Sequence, residues 1–397
     1  MRFPTTPPHE QNSPLLHSLE QEIFQPMQKG TLLMSKTTHF FLGANAPTGF
    51  YSLYDQLADP VTDERLYIVK GGSGCGKSSF MKAIAKGLTD AGLDVEHIHC
   101  SADPDSIDAI YIPAHKTAYV DGTAPHIIEP AYMAVFEQYL NLGRFYNAAA
   151  LRPSKENVMN LVRTYKTLYS RAYDCIAAAD NVMVEATDLV VDTSVIAAIK
   201  KRTRGIISRE IGKKRNNTPG RARRRFLTAL THRGFVARFD TVQALAERVY
   251  HLDNHLGLAH HMLEDVAEAA LGAGHDVFLC PSPLRPDMLE HLIIPALSLA
   301  FVSSNNQTQY EGESYRHIRL DAMADGERLK SRKTRLRFSK KVAALLLAEA
   351  VSTLGEAKAL HDRLERIYNP HVDFDGVYQL AEEHLKQLLA EVMSVTH

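Results

Sequence analysis

Two tandem α/β/α cores, each followed by a helical arm and the second a degenerate copy of the first, are predicted for this 397-residue chain. Three observations predict them. Segments repeat at a nearly constant offset, apolar strands alternate with helical stretches, and one strand-to-helix junction carries a glycine-rich phosphate-loop signature. Length agrees, because single domains usually run to about 100–200 residues.

The repeat is read by laying the chain on itself. At a shift of about 185, Phe41-Leu42, Ala44, Gly49-Phe50 and Asp55 fall on Phe226-Leu227, Ala229, Gly234-Phe235 and Asp240. At about 182, Ala91-Gly92, Asp94-Val95, Pro104-Asp105 and Ile112-Pro113-Ala114 fall on Ala273-Gly274, Asp276-Val277, Pro286-Asp287 and Ile294-Pro295-Ala296. Leu151, Arg152, Ser154 and Lys155 match Leu336, Arg337, Ser339 and Lys340. Collinear blocks at one offset indicate duplication. The expected division is a mobile leader at 1–37, a first domain with its arm at 38–215, a linker at 216–223 and a second domain with its arm at 224–397.

Within the first copy the expected elements are a strand at Thr38 to Leu42, a strand, loop and helix over Leu66 to Leu88, and strands at Val95 to Cys100 and Thr117 to Val120. Strands alternating with helices predict a parallel sheet covered on both faces. Beyond them Val158, Leu161, Val162, Tyr165, Leu168, Tyr169, Ala172, Tyr173 and Ile176 recur at helical spacing and read as packing surface. Val377, Leu380, Ala381, Leu388 and Val392 mark a closing helix in the second copy.

Composition narrows the function classes. With 45% hydrophobic and 23% charged residues and a net charge of -1, nothing draws the whole chain to nucleic acid or membrane. Cys75, Cys100, Cys175 and Cys280 form no CxxC pair, so neither a zinc framework nor a disulfide scaffold is indicated, and a reducing cytoplasm fits. The leader carries Pro4, Pro7, Pro8 and Pro14 without the basic and apolar stretches of a signal peptide. No apolar run approaches the roughly 18–20 residues that span a bilayer; Val342 to Leu347 fits a buried helix face.

The chemistry is predicted at Gly71-Gly72-Ser73-Gly74-Cys75-Gly76-Lys77-Ser78, which satisfies G-x-x-x-x-G-K-[ST] in full. Glycines let successive N–H groups wind around an anion, and the following helix, entered through Ser79, adds the positive end of its dipole. Lys77 is expected to bridge the β- and γ-phosphates of ATP and the Ser78 hydroxyl to ligate Mg2+. The Cys75 thiol is read as incidental, since the phosphate meets its backbone. Asp121, ending the apolar strand Thr117 to Val120, is the candidate metal carboxylate; its rival reading is a turn with Gly122. Asp103, Asp105 and Asp108 read either as groups for metal, water or substrate or as caps of a following helix. His97, His99 and Cys100 read as structural, because Cys100 points away from the two histidines and no further ligands follow at zinc spacing.

At a shift of 182 the loop falls on Asp253 to His260, where most glycines are gone, Ala259 replaces the lysine and Asp253 places negative charge where phosphates would lie; Asp121 falls on Ser303. The second core is therefore expected to take no nucleotide. Basic residues cluster at Lys200 to Arg225 and Arg328 to Lys341. Without interleaved aromatics they read as solvated helix faces before nucleic-acid tracks, with one arginine conceivably reaching a γ-phosphate.

HFFLGANAPTGF, YIVKGGSGCGKSSFMKAIA, HCSADPDSIDAIYIP and VDGTAPHIIEP together resemble a family of bacterial tandem P-loop proteins, labelled ATPases or putative nucleotide kinases and of unsettled cellular role. The resemblance runs from about His39 onward and is strongest in the first copy. It implies P-loop NTPase-like cores, ATP binding and a cytoplasmic setting, carried onto Gly71 to Ser78 and Asp121. Both halves are often P-loop-like in that family, so the decayed second loop departs from its pattern. The expected activity is Mg2+-dependent ATP hydrolysis at the first core, with an unidentified small-molecule or protein partner. The alternatives are a kinase in which Asp103 or Asp105 orients the acceptor, and a nucleotide-dependent switch or scaffold.

Overall fold

The structure, a computed structural model, describes residues 35–212, 218–324 and 326–395. Most of the expected leader, and Asn216 and Asn217 of the expected linker, lie outside the described residues. The first half comprises β1 (Thr37–Phe41), the hairpin β2 (Gly43–Ala46) and β3 (Gly49–Ser52), β4 (Arg65–Lys70), α1 (Lys77–Asp90), β5 (Val95–His99), β6 (Ile107–Ile112), β7 (Thr117–Asp121), β8 (Glu137–Asn141), α2 (Ala148–Leu151), α3 (Lys155–Asp188) and α4 (Thr193–Glu210). The second comprises β9 (Ala222–Arg224), the hairpin β10 (Thr228–Thr231) and β11 (Gly234–Ala237), α5 (Asp240–Leu245), β12 (Arg248–Asp253), α6 (His260–Gly272), β13 (Val277–Pro281), β14 (Leu289–Ile294), β15 (Leu299–Ser304), β16 (Arg316–Arg319), α7 (Gly326–Tyr368) and α8 (Phe374–Val395). The chain is α/β, with two six-stranded sheets.

The sheets share one topology. Their orders are β1-β5-β6-β7-β4-β8 and β9-β13-β14-β15-β12-β16. Both carry a bulge at the end of the second strand, between Ile98 and His99 and between Cys280 and Pro281. Both turn into the fourth strand through a left-handed residue, Lys116 at φ 46° and Ser298 at φ 49°. Strand β9 begins at Ala222, inside the expected linker.

One expectation is overturned: the sheets are mixed, not parallel. Strand β6 runs antiparallel to both β5 and β7, and β14 does the same in its sheet. A parallel neighbour needs a crossover of a dozen or more residues, and only residues 100–106 separate β5 from β6. Asp103-Pro104-Asp105 is therefore a turn between antiparallel strands and caps no helix, and Asp108 sits inside β6.

The halves meet across a pseudo-twofold axis. Phe41 and Phe226, equivalent residues at the offset of 185, exchange both main-chain hydrogen bonds at 2.8 Å. Around them Phe40, Leu42, Leu227 and Val242 form a buried core shared by both sheets. Arg225 and Glu96 make a buried ion pair there at 2.5 Å, and Arg225 also donates to the Gln56 and Leu57 carbonyls. Their symmetry equivalents are Phe40 and Phe278, whose rings stack at 5.0 Å. One contact has thus been filled in two chemical ways.

The arms are exchanged. Helices α3 and α7 pack antiparallel, stitched by Arg171–Glu349 near their middles and by Arg335–Glu185 toward the end of α3 and the start of α7. Helix α4 then buries Val195, Ile199 and Ile206 against α6 of the other half, with Met262, Leu263 and Val266. Reciprocally, α8 lays Val377, Ala381 and Leu388 against Phe80, Met81 and Ile84 of α1. The approach of α8 to α1 requires Gly87, where a Cβ would stand 2.2 Å from Leu385.

The stacked equivalent supplies a test of the buried ion pair. Arg225→Ala alone should destabilise by about 3–5 kcal/mol, because it strands a buried carboxylate. Arg225→Phe with Glu96→Phe, which copies the Phe40–Phe278 contact, should recover most of that loss. Denaturant midpoints of the two variants and the parent decide the matter.

Candidate functional site

Strand β4 leads through the glycine-rich loop into α1, which starts at Lys77 as the signature predicts. The loop lies beside the end of β7, since Val69 pairs with Asp121. Four of its carbonyls accept from side chains. Lys77 Nζ donates to the Gly71 and Gly72 carbonyls at 2.9 Å each, and Tyr146 Oη donates to that of Ser73 at 2.8 Å. The Asn369 amide, oriented to donate, reaches the Gly74 carbonyl at 3.0 Å. Among the described residues, no protein acceptor takes the main-chain N–H groups of Gly72 to Gly76, while that of Lys77 bonds the Cys75 sulfur. Consecutive free donors at a helix N-terminus have the chemistry to receive an anion. The Cys75 side chain is buried under the loop, and burial pushes its thiol pKa up, so it is no nucleophile.

Lys77 Nζ stands 3.5 Å from Asp121 Oδ2. The other Asp121 oxygen accepts from the Thr123 N–H at 2.9 Å and its hydroxyl at 2.6 Å. The turn reading of Asp121 is met by one oxygen, and the other faces the lysine. Ser78 Oγ accepts the Ile107 N–H at 3.0 Å, which ties the loop helix to the start of β6 and leaves a lone pair for a metal. Ser79 is on the first turn of α1.

Of the three acidic candidates Asp103, Asp105 and Asp108, only Asp108 gathers here, together with residues to which sequence reasoning gave no role. Asp108, buried, accepts the Tyr54 hydroxyl at 2.6 Å. Burial raises its pKa; His126 opposes this rise and Asp121 adds to it. His126 stacks on Tyr54 at 4.4 Å and lies near Asp108 and Asp121. In sequence it sits in Thr123-Ala124-Pro125-His126, legible only as a turn. Tyr146 and Asn369 carry no sequence signal at all, because their role depends on the exchanged arm.

The other acidic candidates are engaged elsewhere. Asp105 pairs with Arg233 and Asp103 with Lys358 at 3.3 Å, both partners belonging to the second half. His97 and His99 form an imidazole cluster with His39, whose Nδ1 lies 2.9 Å from His99 Nε2. Burial lowers His97 to about 4 and His99 to about 3, so both are neutral packing groups at the interface, in keeping with the structural reading. Several residues of the basic clusters are paired, among them Arg225 with Glu96, Arg221 with Asp59, Arg328 with Asp192 and Arg335 with Glu185. The basic groups beside the loop are instead Arg152 and Lys155, which line a recess with Gly143 and Tyr146.

The second loop corrects the alignment. Strands β4 and β12 and the starts of α1 and α6 correspond at 183, and Gly257 at φ 72° matches Gly74 at φ 71°. His260, not Ala259, therefore occupies the lysine position, and Asn254 that of Gly71. The offset falls to 182 because α6 has 13 residues and α1 has 14. Asp253 is not in the cradle; it accepts from His317 at 2.6 Å. A different carboxylate fills it. Asp321 accepts the His255 and Leu256 N–H groups at 2.9 Å each and His255 Nδ1 at 2.8 Å. Asn254 Oδ1 takes the Ala259 N–H at 2.8 Å. The corresponding turn in the first half, Leu142–Phe145, offers no carboxylate.

No known protein family, curated protein or solved structure matches the chain. Among the described residues no helix is long and apolar enough to cross a membrane.

Glu290 is the counterpart of Asp108 and gives a pH test. Burial raises its pKa to about 7 despite bonds from Thr228 and Asn305. A carboxyl group raised in the folded state holds its proton where the unfolded chain has lost it, so stability falls as pH climbs from about 4.5 to about 7. The loss should be on the order of 2–3 kcal/mol and absent in Glu290→Gln. Denaturation midpoints of both proteins between pH 5 and 8 would read it.

Proposed function

We propose that the first core binds ATP with Mg2+ at Gly71 to Ser78 and hydrolyses it, while the second core takes no nucleotide. The contrast between the two loops carries this reading. In the second, a carboxylate of the chain itself accepts the first cradle N–H groups. In the first, the equivalent donors of Gly72 and Ser73 have no acceptor among the described residues, and a lysine stands beside them. A cradle that takes an internal anion in one copy and offers bare donors in the other suits an external anion in the latter.

In this reading the amides of Gly72 to Gly76 hold the β-phosphate, and Lys77 leaves the Gly71 and Gly72 carbonyls for the γ-phosphate. Ser78 and Asp121 would hold Mg2+, which supplies charge neutralisation of the phosphates. Catalysis rests on fixed donors aimed at developing charge. Tyr146 and Asn369 tie the loop carbonyls to the two arms, so a change of the loop on hydrolysis would reach both. A kinase using Asp103 or Asp105 has less support, since both carboxylates are already paired with cations of the second half.

Lys77→Ala should weaken ATP binding and lower phosphate release by about a hundredfold or more. Titration with a fluorescent ATP analogue and a phosphate-release assay measure both, and survival of the two would overturn the assignment. Labelled ATP incubated with and without cell metabolites separates hydrolase from kinase: label appearing only as free phosphate supports the former.

A further inference from the structure

Next to the phosphate loop is a group of side chains that nucleotide binding alone does not use. Asp108, Asp121 and His126 each offer a ligand atom, and these atoms lie within 4.8 Å of one another. Asp108 and His126 are each only 7% exposed. Both ring nitrogens of His126 are buried without any hydrogen-bond partner. A buried imidazole with two unmet nitrogens is costly, and native chains rarely keep one without a ligand. No lysine or arginine among the described residues forms an ion pair with Asp108, although a second carboxylate faces it.

We propose that Asp108, Asp121 and His126 bind a first-row transition-metal dication of the Mn2+ class, independently of nucleotide. The donor set points to this class. An imidazole nitrogen with two carboxylates suits Mn2+, Fe2+ or Zn2+, whereas Mg2+ takes oxygen ligands almost exclusively. The supporting shell is in place. The Tyr54 hydroxyl fixes one Asp108 oxygen, the Tyr54 ring fixes the His126 plane, and Thr123 fixes one Asp121 oxygen. Such outer contacts orient ligands at metal centres. The dication would supply the positive partner that Asp108 lacks and an acceptor for a His126 nitrogen lone pair. The second half does not repeat this donor set: Glu290, Ser303 and Thr308 stand at the three equivalent positions, and Glu290 is held by Thr228 and Asn305 instead.

The inference meets the proposed ATP site only at Asp121, and the two can fail separately. The full chain, stripped with chelator and free of nucleotide, is titrated with Mn2+ alone and followed by electron paramagnetic resonance. One bound ion per chain is expected, with nitrogen hyperfine coupling from one imidazole and at least tenfold tighter binding than Mg2+. His126→Ala should abolish the coupling, and both His126→Ala and Asp108→Asn should weaken binding tenfold or more. Circular dichroism checks the fold of each, and His126→Asn replaces His126→Ala if the latter does not fold. Lys77→Ala should retain Mn2+ while losing ATP. Absence of nitrogen coupling in the parent chain, or unchanged affinity in both ligand variants, would overturn the metal site and leave the ATP reading standing. Mn2+ binding with no ATP binding would do the opposite.

Discussion

The reciprocal pair of main-chain hydrogen bonds between Phe41 and Phe226 is the constraint on which the rest of the molecule depends. Equivalent residues of a duplicated chain can bond to each other in this way only on a twofold axis. Once β1 meets the second half there, the two sheets share one apolar core, and α3 and α7 are brought side by side with opposite directions. Each closing helix then lies beyond its own core and lands on the other. The fold behaves as an isologous dimer written in a single chain.

Symmetry explains what is shared, and departures from it locate the chemistry. Sheet order, bulges and left-handed turns are common to both halves because they set the scaffold. Where function is not at stake, substitution preserved volume and burial, as in the ion pair of Arg225 and Glu96 set against the stack of Phe40 and Phe278. At the loops substitution changed charge. Asp321 supplies a carboxylate where the first half has the turn Leu142–Phe145 without one, and Ser303 stands where the first half has Asp121. A carboxylate in the cradle of one copy excludes a phosphate there by repulsion, and its lack in the other leaves the donors open.

Much of the scaffold was legible because it leaves local traces. The repeat, the start of α1 at Lys77 and the packed stripe of α3 follow from spacing and apolar period. Strand β6 was not, since Ile107 to Ile112, interrupted by Asp108, follows a turn that equally resembles a helix cap. The degenerate loop was misplaced by one residue because α6 is one residue shorter than α1, which no sequence pattern between them reveals. Of the candidate site, the strand-loop-helix geometry of Gly71 to Ser78 was legible because its signature lies in consecutive residues. His126, Tyr146 and Asn369 were not, and Asp108 was one of three acidic candidates left undivided, because strand order and arm exchange decide what comes together there, and neither leaves a mark in a short window.

The exchange of arms also accounts for a second copy that has lost its loop. The α1 face that carries Phe80, Met81 and Ile84 is covered by α8, through fully buried Val377 and Leu388 among others. At about 1.5–3 kcal/mol for each large side chain buried, those two alone contribute roughly 3–6 kcal/mol. That approaches the whole stability of an ordinary domain, about 5–15 kcal/mol. The first core therefore could not keep its loop helix packed without the second arm, whatever the second loop binds. The same arm brings Asn369 to the Gly74 carbonyl and Phe374 beside Gly76, so the degenerate half acts on the phosphate loop as its outer wall. A wall built by the other half makes loop geometry and the relation between halves a single mechanical variable, and a ligand that reorders the loop acts on both.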